Sequence, residues 1–307
     1  MKGLKLYKYM TLSSCIRLLT NPALQISHPG CLNDPFELKI TKKDSTALGT
    51  VLETAHGRAK SFAEYRRHFW SDGVVCMTQT HDNLLMWSHY TKDHQGAVVE
   101  FDLADDPFSL FLNPSQGTTD SQVAGNVDYR KSREFGKLVN IENLDSLRKH
   151  YALTKSVEWT YEEEYRFVLH HSQADFLLLD SKKEIFPLLC NDLGLDRSKL
   201  ELIDGKLSID LTKNSPGSEL LQKVWCMYRQ AGAVFLKVVD PRTISRIYLG
   251  CQVDAIDFQN HLKQTPLYQL NTVQPGTFNP EVQTARISDS EFKLEFSPYS
   301  FANQFLN

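Results

Sequence analysis

Between Lys155 and His170 the chain reads KSVEWTYEEEYRFVLH, and no other stretch constrains the fold as much. Glu158, Glu162, Glu163 and Glu164 crowd together and run directly into Tyr165-Arg166-Phe167-Val168-Leu169. The second half alternates as a half-buried strand does, which puts Tyr165, Phe167 and Leu169 on one face. The same period gathers Glu162, Glu164 and Arg166 on the other face and directs Glu163 towards Tyr165 and Phe167. Two acids and a base held side by side at a strand start can bind a polar ligand or shift one another's pKa. An acidic run is more often a solvated edge. Trp159, Tyr161 and Tyr165 around this one favour a site.

Upstream, residues 4–10 form a strand with Lys8 on the face of Leu4 and Leu6. A lysine there is tolerated best where that face opens onto a cleft or a carboxylate. A helix at 11–20 follows, started by Thr11 or Ser13 and ended by Asn21-Pro22, then a short strand at 23–27. Residues 44–70 read as helical, 73–79 as a strand, and 83–92 as a helix capped by Asp82. Strands at 96–103 and 123–130 flank a polar loop, NPSQGTTDSQ at 113–122, which is expected to form a flexible rim. A helix at 142–156 leads into the acidic segment. Signals weaken over 172–223, the least defined region. They return as a helix at 216–230, strands at 233–239 and 244–250, a helix at 254–263 and a last strand within 283–296. There is no βαβ rhythm and no repeat, so the expected fold is α+β: mixed, largely antiparallel sheets with flanking helices in a single domain, 1–307.

Net charge is −3 and the pI about 6.4, so no bulk basic field invites nucleic acid. No apolar run reaches the roughly 20 residues that a membrane-spanning helix needs. The six cysteines are scattered without a CxxC pair, which points to reduced thiols, a cytoplasmic setting and no bound metal.

LNDPFE at 32–37 has the form of a capping box, with Asp34 as cap, Pro35 at the first helical position and Glu37 closing it. Asn33 is not needed for that cap and is the freer binding candidate. In LLMWSHYTKDH at 84–94, His89 and His94 lie five apart, a poor spacing for two metal ligands on one helix face. Trp87 and Tyr90 are expected to pack inward, and His89 is either a general base or a hydrogen-bonded structural histidine. The GxSxG, GxxxxGK[ST] and GxGxxG signatures are all missing, which counts against serine hydrolases, P-loop nucleotide hydrolases and Rossmann dehydrogenases.

Together, LYKYM, LNDPFE, VVCMTQ, MWSHYTKDHQGAVVEFD, the V-D-Y of 127–129, K-xxx-W-x-YEEEYR and ISRIYLGC resemble, in order, the bacterial domain of unknown function family 2971. The resemblance runs from about residue 5 to residue 260 and implies a setting in phage defence and mobile elements. More remotely, the motif order is similar to that of ADP-ribosyltransferases. These carry a basic residue or histidine on an early strand, a middle serine-bearing or aromatic strand, and a Glu-x-Glu entering a late strand. Lys8, Thr78 and Glu162-x-Glu164 stand in those places. Lys8 departs from the usual Arg or His, the Ser-Thr-Ser triplet is missing, and the spacing is long.

That likeness implies an ADP-ribosyltransferase-like fold and NAD as substrate, with no metal. In catalysis it implies that Glu164 steadies an oxocarbenium-like transition state, that Glu162 orients the acceptor, and that Lys8 meets the pyrophosphate or ribose. Tyr7 or Trp87 would stack on nicotinamide, with Asn33, Thr78, His89, Tyr90 and Arg166 completing the binding set. The implied partners are a small-molecule nucleotide, an acceptor that is a protein or a nucleic acid, and a partner protein of a defence system. The rival expectation is a non-catalytic module that senses a ligand or nucleotide.

Overall fold

Alternation in LKLYKYMT sends Leu6 and Met10 into the main apolar core and Tyr7 and Tyr9 into a second apolar cluster on the opposite face. Strand β1 (Leu4–Thr11) is therefore covered on both sides, and Lys8 is a charge on a core-facing row. The computed structural model describes residues 3–57, 60–61, 70–103, 106–112, 123–195, 202–203, 205–213, 216–273, 278 and 280–299.

The further strands are β2 (Ala23–Ile26), β3 (Asp72–Thr78), β4 (Gly96–Leu103), β5 (Val123–Asn126), β6 (Asp128–Arg130), β7 (Thr154–Ser156), β8 (Glu164–His170), β9 (Phe176–Asp180), β10 (Leu202–Ile203), β11 (Lys206–Asp210), β12 (Val234–Val238), β13 (Ile244–Leu249), β14 (Glu281–Ile287) and β15 (Leu294–Pro298). Helices α1 (Leu12–Thr20), α2 (Lys42–His56), α3 (Leu84–Tyr90) and α4 (Leu144–Ala152) matter most below.

Among the described residues, one eight-stranded sheet runs β15-β14-β13-β4-β1-β3-β8-β5, a five-stranded sheet runs β10-β11-β9-β12-β2, and β6 pairs with β7. Among the described residues only β13–β14 and β6–β7 are parallel; the other pairs are antiparallel. The class is α+β, as expected. The main core includes Leu6, Phe101 and Phe167 from the large sheet and Leu177 and Phe235 from the smaller one. The sheets meet where Ser27 bridges Val74. A side chain at Gly73 would lie 2.7 Å from Ile26, Ser27 and Trp225, so this contact tolerates only glycine.

Several elements differ from expectation. The N-cap of α3 is Asn83, whose Oδ1 accepts from Leu85 N at 3.0 Å and Met86 N at 3.1 Å, while Asp82 accepts instead from Thr80. The expected helix at 44–70 is α2 over Lys42–His56; residues 58–59 and 62–69, like the 113–122 loop, lie outside the described residues. The 123–130 segment breaks into β5 and β6, and the 142–156 helix ends at Ala152 and gives way to β7. The tail forms two strands, β14 and β15. The indistinct 172–223 region holds β9 and β11, the middle of the smaller sheet, because FLLLD is too short and too uniformly apolar to show a period. Strand β8 is buried on both faces instead of one.

Candidate functional site

Strand alternation does not reach back to Glu162. Val157–Glu162 is a 3-10 helix, Glu163 takes a left-handed conformation at φ 43°, and β8 begins at Glu164. This kink turns Glu163 out to solvent, not towards Tyr165, and leaves Glu162 and Glu164 on the same inner side with 4% and 5% exposure. A left-handed non-glycine residue costs roughly 1–2 kcal/mol, so the surroundings must hold it. Thr78 Oγ1 donates to Glu162 O at 2.6 Å, Gln79 N to Glu163 O at 3.1 Å, and Glu164 N to Tyr129 Oη at 2.8 Å.

The inner side carries a buried network of charge. Arg166 Nε donates to Glu164 Oε1 at 2.8 Å, and its Nη2 donates to Glu164 Oε2 at 2.8 Å and Glu37 Oε2 at 2.7 Å. Its Nη1 closes on Ala152 O at 3.0 Å. Lys155 Nζ lies 2.5 Å from Glu162 Oε2, 2.9 Å from Glu37 Oε1 and 3.3 Å from Glu164 Oε2, and sits 4.7 Å from the centre of the Trp159 ring. Tyr90 Oη donates to Glu162 Oε1 at 2.5 Å and accepts from Asn33 Nδ2 at 2.9 Å. Removing charges from water costs several kcal/mol each, which only such close pairing offsets.

The environments of the carboxylates diverge. Burial would raise Glu164, but the Arg166 guanidinium and Lys155 ammonium outweigh it and hold the carboxyl at about 2. Burial pushes Glu37 up, against the pull of Arg166 and Lys155. Burial would lower Lys155, yet Glu164, Glu37 and Glu162 together push it up, so its amine stays protonated and is no nucleophile at neutral pH. Burial and the bond to Glu162 push Tyr90 up as well. Carboxylates driven apart in this way are a common mark of chemical sites.

This network forms one wall of a cavity of about 240 Å³. The opposite wall comes from β1 and β3, which share one registered pair, Tyr7 with Thr78. Beside it, Lys8 Nζ donates to the Cys76 carbonyl at 2.5 Å. No carboxylate lies within 4 Å of Lys8 among the described residues, unlike Lys155.

The cavity thus brings together Lys8, Glu162, Glu164, Tyr7, Asn33, Thr78 and Tyr90. Arg166 is fully buried behind Glu164 and does not line it. Trp87 is fully buried too, donating Nε1 to His81 O at 2.7 Å, and is not placed to stack on a ligand there. His89 is exposed outside the cavity.

Two members were missed by the sequence reading: Glu37 and Lys155. The capping box expected at LNDPFE does not form. Asp34 Oδ1 accepts from Phe36 N at 2.9 Å, but residues 35–38 make only a turn, and the Glu37 side chain goes to Lys155 and Arg166. Lys155 gave no local signal beyond its place in the K-xxx-W-x-YEEEYR motif.

What fold and site define is an α+β protein with a carboxylate-walled cavity. Residues 86–167 match the family described as Protein of unknown function (DUF2971). The resemblance read from the motifs is therefore shown over this stretch, which is shorter than the 5–260 span expected from them. It contains Tyr90, Lys155, Glu162, Glu164 and Arg166, whereas Lys8, Asn33, Glu37 and Thr78 lie outside it. Neither a search of curated proteins nor one of solved structures found a match.

Proposed function

We propose that the chain is an NAD-dependent ADP-ribosyltransferase or NAD hydrolase acting in this cavity. The observation that carries the reading is that Lys8, Glu162 and Glu164 line one space, with Glu164 clamped as an anion. The bond from nicotinamide to the ribose C1′ breaks, and its electron pair leaves with neutral nicotinamide. The ribose carbon becomes cation-like. A fixed carboxylate costs no reorganisation as that charge develops, and preorganised groups of this kind contribute several kcal/mol. Glu164 fills this role and also accepts from the ribose 2′-hydroxyl. Glu162 takes the proton of the incoming water or acceptor hydroxyl, and the Lys8 ammonium meets the pyrophosphate. Tyr7 and Tyr90 supply aromatic surface beside them.

The cavity, at about 240 Å³, is smaller than the roughly 300–1,000 Å³ usual for ligand pockets. It suits the nicotinamide–ribose end of the dinucleotide, with the adenosine end outside. In this reading the protein is a cytoplasmic effector of a bacterial defence system against phage, or a toxin, working beside a partner protein. Incubation with NAD while following free nicotinamide tests it. Absence of release with water, protein or nucleic-acid acceptors removes the proposal.

A second reading, a ligand- or nucleotide-sensing module without catalysis, draws on one feature. Both Glu164 oxygens are already engaged by Arg166, which makes the carboxylate well fixed but less available. Thermal stabilisation by NAD without its consumption would favour the sensor.

A further inference from the structure

Lys155 and Glu37 are a partition: besides the cavity described above, they line a second one, also of about 240 Å³. Its composition is different. Phe36, 59% exposed, forms an aromatic floor with the Arg133 guanidinium 5.2 Å from its ring centre. Arg130 and Lys131 stand at the rim, and Lys131 has no carboxylate within 4 Å among the described residues. Asp34, 4% exposed, lines the interior with Oδ2 lacking a hydrogen-bond partner.

We propose that this second cavity binds a nucleotide. An exposed aromatic ring beside cations is the usual means of holding a base by stacking and its phosphate by charge. Lys131 and Arg133 take the phosphate, Phe36 stacks against the base, and Asp34 accepts from a hydroxyl or exocyclic amine of the ligand. Simple surface solvation does not account for the large exposed phenylalanine, the cations and the unpartnered buried carboxylate converging on one concave space. The site stands apart from the chemistry assigned to the first cavity, and it holds whether or not NAD is turned over there. The same nucleotide chemistry occurs in a free mononucleotide and in a single-stranded nucleic-acid chain.

Equilibrium binding of the full chain to AMP, to a short single-stranded oligonucleotide and to inorganic pyrophosphate, measured by calorimetry without NAD, tests the proposal. Binding of AMP or the oligonucleotide is expected. It should weaken at least tenfold in Phe36→Ala and in Lys131→Ala and fall as salt rises. Both positions are exposed, so melting temperature should hold. Tighter binding of the oligonucleotide than of AMP identifies a nucleic-acid chain as the source, and the reverse identifies a free nucleotide. Binding of pyrophosphate alone, or binding that is indifferent to Phe36→Ala, overturns the assignment, as does failure of all three ligands to bind at millimolar concentration.

Discussion

Replacing Glu164 by glutamine should change how the protein responds to acid, by an amount the structure specifies. Glu164 is held at about 2 in the folded protein against 4.5 for an ordinary glutamate. At about 1.4 kcal/mol for each pH unit, that depression stabilises the fold by roughly 3 kcal/mol when the carboxylate is ionised. The sign follows from the lowered value: the stabilisation is full above the unfolded pKa and is lost as pH falls from about 5 towards 2. Glu37 works the other way, since its raised pKa favours the folded state on protonation; part of that rise comes from the Glu164 charge, so the variant also lowers it. Glu164→Gln should therefore be about 3 kcal/mol less stable than the parent at pH 7, and the gap should close as pH approaches 2. Most domains have about 5–15 kcal/mol in hand, so the variant should still fold. Urea unfolding midpoints of both proteins at half-unit steps between pH 7 and pH 2.5 measure it. Parallel curves would show that Glu164 is not the clamped anion described, whatever the variant does to activity.

Lys8→Met should lower nicotinamide release at least tenfold while costing no more than about 1.5–3 kcal/mol of stability, the worth of a hydrogen bond from a charged donor, here to the Cys76 carbonyl; turnover equal to wild type would remove Lys8 from the site. Tyr90→Phe deletes a donor to the buried Glu162 carboxylate and should cost about 1.5–3 kcal/mol by urea unfolding; an unchanged midpoint would mean that bond is not made in solution. Glu163→Gly relieves the left-handed backbone at φ 43° and should be neutral to about 1 kcal/mol stabilising, whereas Glu163→Gln should leave activity as it is. A loss of more than 1 kcal/mol in the glycine variant would contradict the strain argument.

Alternation and apolar runs were enough to place β1, β3, β4, β12 and β13: β3 and β4 are almost continuously buried, and β12 alternates buried and half-buried positions. They failed for β9, whose FLLLD is uniformly apolar and shows no period, and for β11, whose KLSID alternates over five residues only. At the site, the grouping of Glu162, Glu164 and Arg166 was legible from the acidic run, although a kink at Glu163 produces it in place of strand period. Lys8 was legible as a charge on an apolar row. Glu37 was not, because LNDPFE satisfies the pattern of a helix cap so well that its partners more than a hundred residues away leave no trace. Trp87 and His89 were grouped with the site by the ADP-ribosyltransferase likeness, but one residue step along α3 turns a side chain by about 100°, so Tyr90 lines the cavity while its neighbour His89 is exposed to solvent.

The central claim is that the space between Lys8 and Glu164 is where the ligand reacts. A structure determined with a non-cleavable NAD analogue tests this most directly. The account predicts the nicotinamide-side ribose in the first cavity, with its 2′-hydroxyl within hydrogen-bond distance of Glu164 and the pyrophosphate beside Lys8. An analogue bound elsewhere on the surface, or turned so that its adenosine end fills that cavity, would contradict it.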